Sequence, residues 1–429
     1  MNLLRACIVG SGPAGFYTAK KLMKSYPKVK VDMFESLPVP FGLVRYGVAP
    51  DHQKVINVEN TFREIALDKR FSFYGNVTIG NNIYKNNIAN YISIDELKKM
   101  YHTIVFCIGA NGDKKLNIPG ENLNNVYTSR NFINWYNGLP VGLMNNKSFS
   151  FDNKEDIKSI KNVCIIGQGN VALDCARMLI SPTNLLNSTD ITDNSLNILK
   201  QLDLKKINII GRRGPFQAQF SVGEVREIFK LNTSNIIINQ NDLIANNEHI
   251  EYERRIKRLM KVFNDYSKNT DTNNYNNKTD LELCFFKRPV EILPCNNDKD
   301  KVGYLKLEKM ALCDTKNIIA TGEYETISCD LLISSVGYKV NSIDGLPKII
   351  KDNCIPNDNS KIIFTDVNEQ GNHFNNGLYA CGWFRRGPSG VILTNIEEAN
   401  LTVNRILNDI DNGIIDLTLN INYQNDKHV

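Results

Sequence analysis

Two glycine turns carry the chemistry that this sequence can do. The first is Gly10-Ser11-Gly12-Pro13-Ala14-Gly15, preceded by the apolar run Leu4 to Val9 and followed by a helical pattern through Phe16, Ala19 and Leu22. The second lies in the stretch Asn162 to Arg177, where an apolar run ends in Gly167-Gln168-Gly169-Asn170-Val171-Ala172. Each reads as strand, tight turn and helix. The first glycine permits the turn, and the second lets backbone amides approach a diphosphate. A third small residue, Gly15 or Ala172, keeps the helix close to the strand. Exposed amides at a helix start attract an anion. Two such units on one polypeptide suggest two dinucleotides, with electrons passing between them.

The residues that follow each unit differ in charge. Val29 to Glu35 reads as the next strand of the first unit, and it ends in an acid about 20 residues beyond the turn, placed to accept hydrogen bonds from an adenosine ribose. Glu35 would repel a 2′-phosphate, so it marks FAD or NAD(H). In the second unit the strand Lys206 to Gly211 runs into Arg212 and Arg213. A pair of guanidinium groups there can grip a 2′-phosphate by charge-assisted, bidentate bonds. The first turn is therefore expected to hold FAD and the second NADP(H).

Other segments must position these turns. Leu37 to His52 is rich in proline and glycine, which exclude a regular helix or a central strand and leave a structured loop able to line a cofactor. Thr103 to Ala110 is a buried strand ending at Gly109, with a crossing point between Gly109 and Asp113. Ser181 to Ser195 is polar and is expected to be an exposed excursion. Glu251 to Phe263 has helical periodicity: Ile256, Leu259, Met260 and Phe263 share one face, and Arg254, Lys257, Arg258 and Lys261 the opposite one. Asn269 to Thr279 is asparagine-rich and expected to be a loop. The runs Leu283 to Phe286, Gly303 to Leu312 and Leu331 to Ser335 suggest a smaller sheet, and Asp330 to Tyr338 the return to the first domain. Near the end, a strand through Cys381 meets the glycine-rich loop Gly382 to Ile392, ahead of a helix starting near Thr394. That helix start can stabilise negative charge on a reduced flavin.

Composition sets outer limits. The chain has 429 residues, enough for two or three domains. A net charge of +5 is too small at this length to argue for nucleic acid, although it permits a local basic patch. No apolar run approaches the roughly twenty residues of a membrane span. Ten cysteines occur without a CxxC pair, which speaks against zinc or a vicinal redox disulfide and for buried thiols in a reducing compartment.

The fingerprint Gly10 to Gly15, the loop Leu37 to His52, Phe73-Tyr74-Gly75-Asn76-Val77, Ile118-Pro119-Gly120-Glu121 and Asn134 to Pro140 together resemble the adrenodoxin reductase family over nearly the whole chain. The resemblance implies an α/β fold of two Rossmann-like, three-layer domains. The FAD domain is discontinuous, at 1–108 and 339–429, and residues 109–338 form the NADP(H) domain. It also implies an NADPH-dependent flavoprotein, a ferredoxin–NADP(+) reductase, acting on an acidic [2Fe-2S] ferredoxin of adrenodoxin type and feeding iron–sulfur cluster or haem assembly. It adds Leu43, Ile79, Gly109, Gly382, Trp383, Gly390, Val391 and Ile392 to the FAD set, and Gln168, Asn170, Val171, Glu224 and Gly390 to the NADP set. Arg254, Lys257 and Arg258 would dock the ferredoxin. His52 and Asp174 would form a polar relay near the flavin, or merely pack there. No metal site and no membrane span are expected, and the protein is expected to be a monomer.

Only about three residues precede the first strand, so no presequence is visible. The resemblance points to the mitochondrion, with the cytosol as the alternative. The relatives continue past the position of Val429, which is expected to affect the edge of the FAD domain and the outer end of the NADP site. Three other readings stay open: a disulfide reductase, which the cysteine spacing disfavours, a flavin monooxygenase, and a non-catalytic NADP-sensing protein.

Overall fold

The computed structural model describes residues 2–80, 90–140, 149–151, 154–231, 233–244, 252–268, 278–313, 317–349, 353–365 and 372–418. The chain divides into two units. One comprises 1–48, 52–114 and 337–429, and the other 49–51 and 115–336.

The first unit is built on a seven-stranded sheet in the order 357–358, 361–365, 372–380, 103–106, 4–9, 29–34, 71–74. The five strands from 372–380 to 71–74 are parallel, and the two at the other edge are antiparallel. Leu4–Val9 is buried at every position but Arg5, because both sheet faces are covered. Leu4, Ala6 and Ile8 join a core with Phe16, Phe62 and Val403, from the helices Pro13–Ser25, Val58–Ala66 and Thr394–Asp411. Cys7 and Val9 point into a second core, with Ile94 and Leu97 of the helix Ile94–Met100 and with Val340 and Ile343.

The second unit holds six parallel strands in the order 234–238, 279–284, 206–210, 162–166, 331–334, 126–128. Val163 and Ile165 face the helices Ser129–Tyr136, Asn170–Ile180, Val222–Phe229 and Arg254–Lys268. Cys164 and Ile166 face the antiparallel sheet Lys287–Pro294, Val302–Leu312 and Ile318–Ser328, through Ile292, Leu305 and Leu307. Helices, parallel sheet and antiparallel sheet make three layers.

In both parallel sheets the strand before the glycine turn lies at a reversal of strand order. The chain leaves Leu4–Val9 for Val29–Phe34 on one side, and Thr103–Phe106 pairs on the other. It leaves Asn162–Ile166 for Lys206–Ile210, and Leu331–Ser334 pairs on the other side. Such switch points open a crevice beyond the carboxyl ends of the strands, where ligands bind.

Several details differ from the sequence expectations. Ser181 to Ser195 is no exposed excursion: it holds the short helix Thr183–Leu186 and the start of Asp193–Leu199, pinned by buried Leu186, Ile191 and Leu196. Leu283 and the strand Leu331–Ser334 belong to the main parallel sheet, not to the smaller one. The loop from Leu37 contains a single helical turn, Leu43–Tyr46, entered through positive φ at Phe41 (90°) and Gly42 (52°). The unit boundaries fall at 114/115 and 336/337 rather than 108/109 and 338/339, because Gly112–Asp113 pairs antiparallel with Tyr338–Lys339 and keeps both segments in the first unit. The asparagine-rich stretch lies, at 269–277, outside the described residues.

Candidate functional site

The two glycine turns are built alike. A Cβ on Gly10, at φ +103°, would meet the backbone of Cys107 at 2.7 Å, and one on Gly15 would meet the Gly10 carbonyl at 2.2 Å. Gly167, at φ +144°, would meet the Ser335 carbonyl at 2.3 Å. These positions are glycine because the chain itself leaves no room. The middle glycines are different. Gly12 has φ −78° and Gly169 φ −123°, values open to any residue, and a Cβ on either meets no atom within 4 Å. Neither backbone conformation nor packing requires glycine there, so the requirement lies outside the chain. The open space there is what a diphosphate needs to approach the amides closely.

Capping supports the same reading. Ser93, Thr128, Thr192 and Ser221 each cap their own helix through a side-chain oxygen. The helices that start at Pro13 and Asn170 have no side-chain cap, as is also true of Val58–Ala66 and Thr394–Asp411. At the two glycine turns the first amides are left for an anion.

In the first unit, Glu35 stands at the end of Val29–Phe34 and closes on the turn. One carboxylate oxygen accepts from the Ser11 amide at 2.9 Å and the Ser11 hydroxyl at 2.7 Å. The other accepts from the Ser36 hydroxyl at 3.0 Å and the Leu37 amide at 3.1 Å. Four donors fix the position of the carboxylate beside the turn. Leu37 to His52 reaches the same place: the Phe41 amide donates to the Ser11 carbonyl at 3.0 Å, and a Cβ on Gly42 would lie 3.2 Å from Gly12 Cα. Half-buried Leu43 begins the helical turn that follows, while Ile79 is buried in the core and Gly109 (φ +69°) follows the neighbouring strand.

The C-terminal loop is drawn to this turn as well. Gly382, at φ +68°, lies against Ala14, whose Cβ would be 2.6 Å from a Cβ placed there. Trp383 packs against Tyr338 with the rings tilted, centroids 5.8 Å apart, and its Nε1 donates to the Ser389 carbonyl at 2.8 Å. Arg386 donates to that carbonyl too, at 2.8 Å, and Arg385 forms a two-point pair with buried Glu398 at 2.8 and 3.0 Å. Gly390 has φ +80°, and Ile392 is half-buried. Val391 is 70% exposed, an apolar side chain left at the mouth of the loop before the uncapped helix Thr394–Asp411. The first unit therefore brings together Gly10 to Gly15, Glu35, Leu43, Gly382 and Trp383. His52 belongs to this unit as well and starts the short helix Gln53–Ile56.

In the second unit, the Asn170 side chain accepts from the Ser221 amide at 2.8 Å, and the Gln219 amide donates to the Gln168 carbonyl at 2.9 Å. The turn is thereby braced against the start of the helix Val222–Phe229. Val171 is half-buried on the first turn of its helix. The Gln168 side chain lies over Gly211, directly before Arg212 and Arg213, and both arginines are exposed. Their neighbours are fixed, since the Arg213 carbonyl accepts from the Phe286 amide at 3.3 Å and Gly214 sits under the Phe286 ring.

Asp174 is committed to an ion pair. Its carboxylate accepts from Arg177 at 2.6 Å, and Arg177 also pairs with Asp51. Arg177 is 4% exposed. Burial lowers its pKa, and the nearby charges of Glu224 and Glu227 oppose that shift. Glu224 thus has a cationic neighbour. His52 and Asp174 fall in different units.

The helix Arg254–Lys268 presents Arg254, Lys257, Arg258 and Lys261 to solvent and buries Leu259, Met260 and Phe263. Arg255 was not foreseen: its guanidinium donates to the carbonyls of Ala218 at 3.3 Å and Phe220 at 2.9 Å, tying the helix to the segment that braces the turn. Ser11, Arg177 and Glu398 also went unassigned in the sequence. Arg177 alone left a signal there, as an arginine in an otherwise apolar helical stretch. Among the described residues no helix is long and apolar enough to cross a membrane.

Residues 4–207 match the pyridine nucleotide-disulphide oxidoreductase family. The chain is 38% identical over 419 residues to the mitochondrial NADPH:adrenodoxin oxidoreductase of Arabidopsis thaliana, covering 96% of this chain and 83% of that one. It is 37% identical over 418 residues to the Homo sapiens protein of the same name, covering 95% and 79%. Among solved structures it is similar to the oxidoreductase FprA of Mycobacterium tuberculosis, with a TM-score of 0.81, 32% identity and coverage of 96% and 85%. One structure of that protein is a complex with NADPH. Two glycine turns at two switch points, each with a middle glycine that its own chain does not require, agree with these likenesses: the chain belongs to the NADPH:adrenodoxin oxidoreductase family.

Proposed function

We propose that the protein passes electrons from NADPH through FAD to an acidic [2Fe-2S] ferredoxin of adrenodoxin type. The observation that carries this reading is the paired turn geometry, with open space over Gly12 and Gly169 and with Glu35 beside one turn and Arg212–Arg213 beyond the other. The residues present fit both nucleotides. Gly10 to Gly15 would hold the FAD diphosphate on uncapped amides, and Glu35, already oriented by Ser11, would take the ribose. Gly382, Trp383 and the Gly390–Ile392 loop would complete that site. The amides after Gly169 would hold the NADP(H) diphosphate, with Arg212 and Arg213 on the 2′-phosphate.

Bound flavin supplies the conversion between two-electron hydride chemistry and single-electron transfer. The chain's own part is to bind, orient and set charge. Arg385 paired with Glu398 holds the Trp383 loop, and the uncapped start of Thr394–Asp411 offers positive potential at that loop. No side-chain nucleophile is required. The engagement of Asp174 with Arg177 favours a structural role for this acid over proton transfer.

The exposed cations Arg254, Lys257, Arg258 and Lys261 would dock the ferredoxin. We place the protein in the mitochondrion, by analogy with the relatives, and expect it to act as a monomer. Cytochrome c reduction that requires both NADPH and an added [2Fe-2S] ferredoxin tests the function. Equal rates without the ferredoxin would refute it.

A further inference from the structure

Two cysteines far apart in sequence meet at the carboxyl ends of neighbouring strands in the first unit. Asn372–Ala380 pairs in parallel with Thr103–Phe106, setting Leu378 opposite Ile104 and Ala380 opposite Phe106. One step further the register sets Cys381 opposite Cys107, and the Cys381 amide donates to the Phe106 carbonyl at 3.0 Å. Both thiols are buried in the same core, which also takes in the helix Pro13–Ser25. The Thr18 hydroxyl donates to the Cys381 sulfur at 3.5 Å. Adjacent strands lie about 4.8 Å apart, inside the Cα separation of roughly 4.4–6.8 Å that a disulfide spans.

The polar contacts converge on one sulfur. The neighbouring Cys107 thiol, and then the Thr18 and Thr402 hydroxyls, bring the Cys381 thiol below its ordinary value despite burial. Burial holds Cys107 well above its ordinary value. Oxidants attack the thiolate form of a cysteine, and a neighbouring thiol can then resolve the oxidised sulfur as a disulfide. The second unit holds two buried cysteines of its own, Cys164 and Cys329, where burial keeps Cys329 well above its ordinary value.

We propose that Cys107 and Cys381 form a peroxide-responsive dithiol that closes to a disulfide beneath the first glycine turn. The oxidant is hydrogen peroxide, which is close to water in size. The Cys381 thiolate attacks one peroxide oxygen, an S–O bond forms and the O–O bond breaks. The hydroxide that leaves takes up the proton lost by Cys381 and becomes water. The Cys107 sulfur then attacks the Cys381 sulfur, the S–S bond forms and the S–O bond breaks. A second hydroxide departs with the Cys107 proton, again as water. The two thiols lose two electrons and the peroxide gains them.

Closure would move both walls of the turn. The Cys107 backbone lies under Gly10, where a Cβ would be 2.7 Å away, and Gly382, next to Cys381, lies against Ala14. The bond rests on the sheet geometry alone, while its effect on flavin rests on the FAD reading above.

The test uses the flavin-loaded protein, exposed to a few equivalents of hydrogen peroxide, alkylated, digested without reductant and mapped by mass spectrometry. The expected result is a link between the Cys107 and Cys381 peptides, reversed by dithiothreitol, with Cys164 and Cys329 still alkylated. Cys107→Ser and Cys381→Ser should each abolish it. Flavin release, followed by fluorescence, should be at least threefold faster in the linked wild-type protein. Free Cys107 and Cys381 at doses that oxidise the exposed Cys313 would overturn the proposal, as would a link at Cys164–Cys329 in their place. A link with unchanged flavin release would overturn the coupling to the turn. A flavin-free protein that still forms the link would count against the FAD reading alone.

Discussion

Gly169→Ala separates what the chain requires from what its nucleotide requires. At φ −123°, with no atom within 4 Å of the new methyl, alanine is compatible with the fold. A glycine replaced at a compatible position gains about 0.4–1 kcal/mol through the unfolded state, so the melting temperature should hold or rise slightly. The methyl instead occupies the space in which a diphosphate must meet the amides after the turn. Losing one hydrogen bond to a charged group costs about 1.5–3 kcal/mol, which is roughly tenfold to a hundredfold in affinity. The assay is ferricyanide reduction with NADPH, alongside thermal unfolding and the flavin spectrum. KM for NADPH should rise at least tenfold while flavin content and stability stay at wild-type levels. Gly167→Ala is the contrast. At φ +144° and 2.3 Å from the Ser335 carbonyl, its methyl strains the fold itself, and stability should fall by more than about 1 kcal/mol. The reasoning fails if Gly169→Ala leaves KM unchanged, or if it loses stability as Gly167→Ala does.

Other outcomes follow from the same geometry. Gly12→Ala should fold normally yet bind FAD at least tenfold more weakly by fluorescence titration, since a Cβ there also meets nothing. Arg212→Ala with Arg213→Ala should erase a preference of at least about tenfold for NADPH over NADH, by raising KM for NADPH while NADH barely changes; a retained preference would mean the phosphate is read elsewhere. Arg254→Glu with Arg258→Glu should spare NADPH–ferricyanide activity, raise KM for ferredoxin steeply and flatten its salt dependence, because contacts between exposed charges fade as the Debye length falls from about 10 Å at 0.1 M to about 3 Å at 1 M. Unchanged ferredoxin kinetics at low salt would place docking on another surface. Arg177→Met leaves Asp51 and Asp174 without their shared cation, and chemical denaturation should show a loss of about 3–5 kcal/mol. A loss under about 1 kcal/mol would contradict a buried pair.

The elements around the two turns were legible because short-range rules govern them. Strand, turn and helix occur within one stretch, and Glu35 and Arg212–Arg213 end strands whose length the turn sets. The helix Arg254–Lys268 was readable from its 3.6-residue period, although Arg255 escaped notice because its partners are main-chain carbonyls far away in sequence. The same limit hid the link between Ser11 and Glu35, the pairing of Arg385 with Glu398 and the meeting of Cys107 with Cys381. Absence of a CxxC motif is silent about cysteines that a sheet register brings together. Ser181 to Ser195 misled because its polar residues outnumber the apolar ones that pin it, Leu186 and Ile191, with buried Leu196 just beyond its end. Leu283 and Leu331 were assigned to the smaller sheet because an apolar run shows that a strand is buried without showing which sheet it joins.

The central claim is that electrons enter from NADPH, rest on flavin and leave singly to a [2Fe-2S] ferredoxin. Anaerobic titration of the purified protein with NADPH, monitored by visible absorbance and followed by addition of the ferredoxin, tests it most directly. The account predicts a yellow protein bleached by NADPH, whose colour returns as ferredoxin is reduced at two molecules per NADPH. A protein that carries no flavin and takes up none, or a bleached flavin that the ferredoxin fails to reoxidise, would contradict it.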